Sequence, residues 1–238
     1  VAFVLAVMMF AALVQSIGGF GFSLMAVPLA AIVIDLRAAV IVVSIGSLIN
    51  VSLLCWRTKH DIDRALATRF NVPAVFGLPI GLVVLSFADQ RVLKVTLGAL
   101  IIVATLALSR GTSGLQPRAW IDVFAGWISG ILSTATGTNG PPLVLAAQMR
   151  RLEPAAFRAT LAFTFTLSGS TTLVLYVAAR LVRRNDLALA IAAVPLILAG
   201  QYLGLRLQRV FLGQRFDHLV YGLLLVSGAS VGVSGLLG

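Results

Sequence analysis

Charge is scarce in this chain. Of its 238 residues 11% are charged, against about 25% in a typical water-soluble domain. Cysteine occurs once, as Cys55. That excludes an internal disulfide and leaves the thiol as a packing residue. The eight acidic residues (Asp35, Asp61, Asp63, Asp89, Asp122, Glu153, Asp186 and Asp217) and the two histidines, His60 and His218, sit at or near the ends of apolar runs. No carboxylate or imidazole lies in the middle of a run, where a proton relay across a membrane needs one. A metal site or a hydrolytic triad has no candidates there either. Enzymatic chemistry, a bound metal and a cofactor are therefore not expected. Alternating ten-residue strands of a membrane barrel are also missing.

What is present is apolar sequence: 59% hydrophobic residues, a mean hydropathy of +1.03, and runs of about 20 residues recurring from end to end. This predicts an all-α polytopic membrane protein. The formal charge of +10 does not point to nucleic acid. The 18 Lys and Arg cluster at run ends, where they set topology and anchor to headgroups, and no continuous basic face exists. No cleavable signal sequence is read. Val1 already lies in an apolar run, so a few leading residues are expected to precede it.

Along the chain, residues 1–15 form a short apolar run, 16–22 a break, and 23–34 a second short run. Full spans are expected at 38–56, 70–87 and 92–109, with a hydrophilic loop from Arg57 to Arg64. Residues 110–118 read as a linker. The pattern then repeats: a short run at 119–133, a break at 134–142, a short run at 143–149, spans at 155–179, 187–205 and 216–237, and a basic loop from Arg206 to Arg215. The expected units are a first transmembrane repeat (1–109) and a second (119–238). Pro28 falls on Pro142, Ala38-Ala39 on Ala155-Ala156, Val72-Pro73 on Val194-Pro195, Gly77 and Gly81 on Gly200 and Gly204, and Gly98 on Gly222. Gly-x-x-x-Gly at matching places predicts close helix crossings. If each broken run counts as a hairpin or as two crossings, one membrane side carries 12 Lys and Arg and the other 6. Counting each as one crossing removes the bias. The positive-inside rule thus favours two inverted-topology repeats, each a broken or re-entrant helical hairpin plus three spanning helices, with both termini outside.

The two breaks matter most. They are Gln15-Ser16-Ile17-Gly18-Gly19-Phe20-Gly21-Phe22 and Thr134-Ala135-Thr136-Gly137-Thr138-Asn139-Gly140-Pro141-Pro142. Hydrocarbon tolerates irregular backbone only where it is buried in protein or lines a wet cavity. A helix starting at a break aims free N–H groups and the positive end of its dipole at whatever sits there, which suits an anion. Gly18, Gly19, Gly21, Gly137 and Gly140 allow close approach, and Gln15, Ser16, Thr136, Thr138 and Asn139 add polar side chains. Ser44, Ser47 and Asn50 share a face at three-residue steps. Thr160, Thr164, Ser168 and Thr171 form a stripe, with Ser47 opposite Thr164 in the repeat. These hydroxyls are either helix glue or a pathway lining. Arg158 suits oxyanion capture or an interfacial anchor. Trp56 and Trp120 fit interfacial belts; Trp127 and Phe20 are cavity walls or plain packing.

Gly18-Gly19-Phe20-Gly21 leading to Val27-Pro28, Gly126-x3-Gly130 leading to Thr136-Gly137-x2-Gly140-Pro141-Pro142, and Phe157-Arg158-Ala159-Thr160 together resemble the TauE/SafE family of membrane anion exporters. The likeness runs over nearly the whole chain. Phe20 and Phe22 interrupt a glycine run that is usually longer in that family. The resemblance implies export of sulfite or a related organosulfonate, such as sulfoacetate, across a bacterial inner membrane. The expected partners are a small anionic substrate and the lipid bilayer, with a homodimer left open. A channel-like pore for small anions and a non-transporting scaffold are the alternatives.

Overall fold

The computed structural model describes residues 1–110, 116–211 and isolated positions between 225 and 236. The expected span at 216–237, the Gly98–Gly222 match and most of the linker lie outside the described residues. Those described are all helical: α1 (Ala2–Gly18), α2 (Phe22–Ala30), α3 (Leu36–Thr58), α4 (Arg64–Phe87), α5 (Gln90–Arg110), α6 (Ala119–Thr136), α7 (Gly140–Met149), α8 (Pro154–Ala178) and α9 (Arg184–Phe211). Among them α3, α4, α5, α8 and α9 are long and apolar enough to cross a bilayer. A hydrocarbon core about 30 Å thick needs roughly 20 helical residues. With 9 and 10 residues, α2 and α7 cannot cross alone.

Two capped starts explain where spans begin. The Asp35 carboxylate accepts the N–H groups of Arg37 and Ala38 at 2.8 and 3.2 Å, which opens α3. The Asp63 carboxylate accepts the Leu66 N–H at 3.0 Å and opens α4 six residues before the expected span. The loop expected from Arg57 therefore shrinks to a 3-10 turn at Lys59–Asp61 and two linking residues. At the other end, α9 runs on through Phe211, so the basic loop expected to start at Arg206 begins as helix.

Both breaks are also narrower than expected. The first is confined to Gly19-Phe20-Gly21 and the second to Gly137-Thr138-Asn139. The hydroxyls at the helix ends allow this. Ser16 donates to the Ala12 carbonyl at 2.7 Å and Thr136 to that of Leu132 at 3.0 Å, so each polar residue fits inside the last turn. Gly19 and Gly137 then end their helices in the left-handed conformation, at φ 83 and 67. Pro28 and Pro142 do not match in this register. Pro28 lies inside α2, whereas Pro142 is in the first turn of α7.

Lipid gives helices no hydrophobic reason to associate, so close packing must do it. The glycine pairs supply that packing, and they do so across the two halves of the chain. A Cβ on Gly77 would collide with the Trp127 carbonyl, and one on Gly81 with the Ile131 carbonyl and Thr134 Oγ1. On α9, a Cβ on Gly200 would strike the Met9 carbonyl, and one on Gly204 the Leu13 carbonyl and Ser16. Met9, Leu13 and Ser16 hold the places on α1 that Trp127, Ile131 and Thr134 hold on α6, counted from the left-handed glycine. Thus α4 packs on α6 and α9 on α1: the glycine helix of each half holds the broken helix of the other. α3 and α8 also pack together between these pairs.

Candidate functional site

The two breaks meet. Phe20, Gly21, Phe22, Ser23 and Leu24 of the first, and Thr138, Asn139, Gly140 and Pro141 of the second, border one cavity of about 20 Å³, closed by Gln15, Ser47 and Phe165. A second cavity of about 20 Å³ lies alongside and shares Ser23, Ser47, Asn139 and Phe165. Ser44, Ser133, Gly137, Gly169 and Thr172 help complete it. Each has room for about one water.

Donors are concentrated on the first break. The first-turn N–H groups of α2, at Phe22, Ser23 and Leu24, have no intrahelical partner and belong to cavity-lining residues. At α7 the same turn contains Pro141 and Pro142, which have no N–H, so Gly140 is its only backbone donor before Leu143. Gln15 is buried, and its Oε1 accepts from Asn50 Nδ2 at 2.8 Å. The Gln15 amide nitrogen is therefore the end left for the cavity. Asn50, wholly buried, is itself held by Gln201 Nε2, which donates to its carbonyl at 2.8 Å. On the second break, Asn139 Nδ2 donates to Ser168 Oγ at 2.9 Å, and the Asn139 carbonyl accepts from Ser129 at 3.0 Å.

The threonines of the second break contribute less than their number suggests. Thr134 donates to the Leu78 carbonyl on α4 at 2.6 Å, and Thr136 and Thr138 bond each other at 2.7 Å. Of the three, Thr138 alone lines a cavity. Ser16 is turned back on its own helix, and Gly18 is exposed with open space around it. Of the hydroxyl stripe on α8, Thr160 accepts the Asp63 N–H at 2.9 Å and Thr164 accepts from Asn71 at 3.3 Å, so both join helices. Thr171 bonds back to Leu167, and Ser168 is the one that supports the break, through Asn139. Trp127 packs beside Phe124 with ring centroids 6.1 Å apart, away from the cavity that Phe20 lines.

Arg158, half-buried at the start of α8, lies over the first break. A Cβ on Gly19 would be 2.7 Å from its Cγ. Among the described residues no carboxylate lies within 4.0 Å of its guanidinium; the ion pairs there are those of Asp122 with Arg69 and Arg150. Ser23 and Phe165 line the cavity and are absent from the expected residues; Asn50, expected as helix glue or pathway lining, supports it through Gln15. Asn50 carried a signal in its three-residue step from Ser47. Ser23 and Phe165 carried none beyond their place in the helix.

Several apolar spanning helices, with two interrupted helices meeting around buried polar groups, define a multi-pass membrane protein of the transporter type. A family model described as "Sulfite exporter TauE/SafE" matches residues 4–231, and the chain belongs to that family, one of exporters rather than enzymes. It is also 26% identical over 198 residues to the "Probable sulfite/organosulfonate exporter TauE" of Cupriavidus necator, a match covering 80% of this chain and 76% of that protein. No solved structure matches the chain.

Proposed function

We propose that the protein exports a small sulfur-containing anion, sulfite or an organosulfonate such as sulfoacetate, across a bacterial inner membrane by alternating access. The observation that carries this reading is the convergence of both breaks on one small cavity. There the α2 N–H groups, the Gln15 amide and the Ser47 hydroxyl meet the head of an anion, with Asn139, Thr138, Gly21, Gly137 and Gly140 shaping the wall. Arg158, beside Gly19, adds the positive charge. A cavity of about 20 Å³ is smaller than the cargo, so binding requires the two breaks to move apart. The crossed pairs α4–α6 and α9–α1 support two equivalent repeats, 1–109 and 119–238; because each pair is drawn from both repeats, the units that rock about this point are the pairs. Inverted topology, with both termini in the periplasm, places the more basic loops in the cytoplasm. A negative cell interior drives an anion outward with about 2.3 kcal/mol per charge per 100 mV, so no coupling ion is required.

The test is flux of sulfite and sulfoacetate in proteoliposomes under an imposed potassium diffusion potential. Saturable flux that follows the potential and shows counterflow is expected. Flux without saturation or counterflow would make the protein a pore. Flux that ignores potential and tracks a proton or sodium gradient would overturn the driving force proposed.

A further inference from the structure

A second, larger cavity lies beyond the central ones. On α3, Ser47 and Ser44 border them, and Ile41 and Ala38, on the same three-residue step, border another cavity of about 110 Å³. On α8, Phe165, Gly169 and Thr172 face the central cavities, Tyr176 follows on the same helix face, and Arg180 and Leu181 reach the larger cavity just past the helix end. α8 thus presents one face from the meeting point of the breaks to a cavity near the ends of the spans, while the lining of α3 winds around that helix.

That cavity is lined by three arginines, Arg37, Arg180 and Arg183, and two carboxylates, Asp35 and Asp186. The carboxylates are engaged elsewhere. Asp35 accepts the N–H groups of Arg37 and Ala38, and the side-chain amide of Gln90. Asp186 accepts the Arg183 N–H at 3.1 Å. Neither lies within 4.0 Å of any of the three guanidiniums, since among the described residues only Asp122 forms ion pairs. Arg37 Nη2 donates to the Ala88 carbonyl at 3.0 Å, but its buried Nε has no partner among the described residues. A buried donor without an acceptor is costly. Arg180 sits at φ 57 just past the end of α8, a position that glycine takes at about 1–2 kcal/mol less strain.

We propose that this cavity is a second anion site, taking a small sulfonate or sulfur oxyanion between the central cavity and the face where cargo is released. Tyr176 closes the way between the two sites. It is wholly buried, and its hydroxyl donates to the Thr134 carbonyl at 2.8 Å, in the last turn of α6 before the second break. Movement of that break would loosen the closure. The cargo and the direction rest on the exporter reading above; the anion-binding cavity is tested without transport.

Leu181→Cys in a Cys55→Ser background places one thiol in the cavity wall of the full-length protein. Its reaction is timed with an anionic methanethiosulfonate carrying an ethylsulfonate and with the matching trimethylammonium reagent. The anionic reagent is expected to gain at least tenfold over the cationic one relative to their rates with a free thiol. Arg183→Gln and Arg37→Gln should each cut that gain at least threefold, and added sulfoacetate should slow labelling. Arg183→Gln keeps the test valid if the loss of the Arg37–Ala88 bond disturbs folding. A charge ratio unmoved by Arg183→Gln, or labelling indifferent to sulfoacetate, overturns the site. Protected labelling in a protein that passes neither sulfite nor sulfoacetate would remove the exporter reading and leave the cavity standing.

Discussion

The Arg158 side chain lies directly over Gly19, with its Cγ 2.7 Å from where a Cβ on that glycine would stand. Gly19 therefore meets two demands at once: a left-handed backbone at φ 83, and room for an arginine stem. Its neighbour Gly18 meets neither, being the last helical residue with open space around it.

Gly19→Ala is expected to lower stability by about 1–2 kcal/mol from backbone conformation alone, with more from overlap with Arg158. Gly18→Ala should be neutral or slightly stabilising, since alanine favours a helix over glycine by about 1 kcal/mol. Thermal unfolding of the purified variants checks this. Arg158→Ala should recover part of the Gly19→Ala loss in a double-mutant cycle. Equal behaviour of the two glycine variants would contradict the close approach.

Much of this arrangement could be read from residue order, and the exceptions have physical causes. Gly77, Gly81, Gly200 and Gly204 announced helix crossings, and the structure uses them so, but sequence did not say that each pair would grip the opposite half. The breaks were legible as breaks and drawn too wide, because Ser16 and Thr136 satisfy their hydroxyls on carbonyls four residues back and stay helical. Asp63 carried the cap of α4 in a stretch that looked like loop. The second break seemed the richer in donors by its threonines, yet Pro141 and Pro142 remove backbone N–H groups while the α2 start keeps its own. Which side-chain oxygen is already occupied, as in Gln15, is a tertiary fact and invisible in composition.

The crossed packing predicts that equivalent glycines fail equally. Gly77→Val on α4 and Gly200→Val on α9 would each drive a branched side chain into a facing carbonyl, of Trp127 and Met9 respectively. Both should abolish the folded protein or cost at least about 3 kcal/mol, at the upper end of overpacking effects. Gly169→Ala meets Leu48 at an ordinary 3.4 Å and should be tolerated. Size-exclusion profiles in detergent, with unfolding curves for the species that survive, provide the check. Wild-type behaviour of Gly200→Val beside a collapsed Gly77→Val would break the equivalence.

Asp122 sets a contrast between a buried and an exposed ion pair. Its carboxylate is buried and contacts Arg150, whose side chain is 23% exposed; Arg69 lies 3.5 Å away and is 43% exposed. Asp122→Asn leaves Arg150, and Arg69 with it, without a partner where the start of α6 meets the end of α7. Breaking a fully buried pair costs about 3–5 kcal/mol; water access at Arg150 brings the expected loss to about 2–3 kcal/mol. Arg69→Gln should cost no more than about 1 kcal/mol, as exposed pairs do. The ranking is read from unfolding midpoints, and a larger loss for Arg69→Gln would reverse the assignment of which pair holds the start of α6 to the end of α7.

Gln15 and Asn50 separate positioning from contact. Asn50 Nδ2 occupies Gln15 Oε1, which leaves the Gln15 nitrogen for the cavity. Gln15→Met keeps the side-chain length and removes both the donor and the acceptor that Asn50 uses; losing one hydrogen bond to a charged ligand, about 1.5 kcal/mol, raises the apparent KM for sulfite roughly tenfold with a smaller change in maximal rate. Gln15→Glu puts a carboxylate at the same point and should suppress anion flux more than the methionine variant does. Asn50→Ala leaves Gln15 in place but frees its amide to turn either way, so KM should rise by a smaller factor than with Gln15→Met. Combining the two changes should add nothing beyond Gln15→Met, because Asn50 acts on the anion only through that amide. Initial-rate flux in proteoliposomes across a sulfite concentration series measures all four variants. Additive effects in the double variant would show that Asn50 works by some other route.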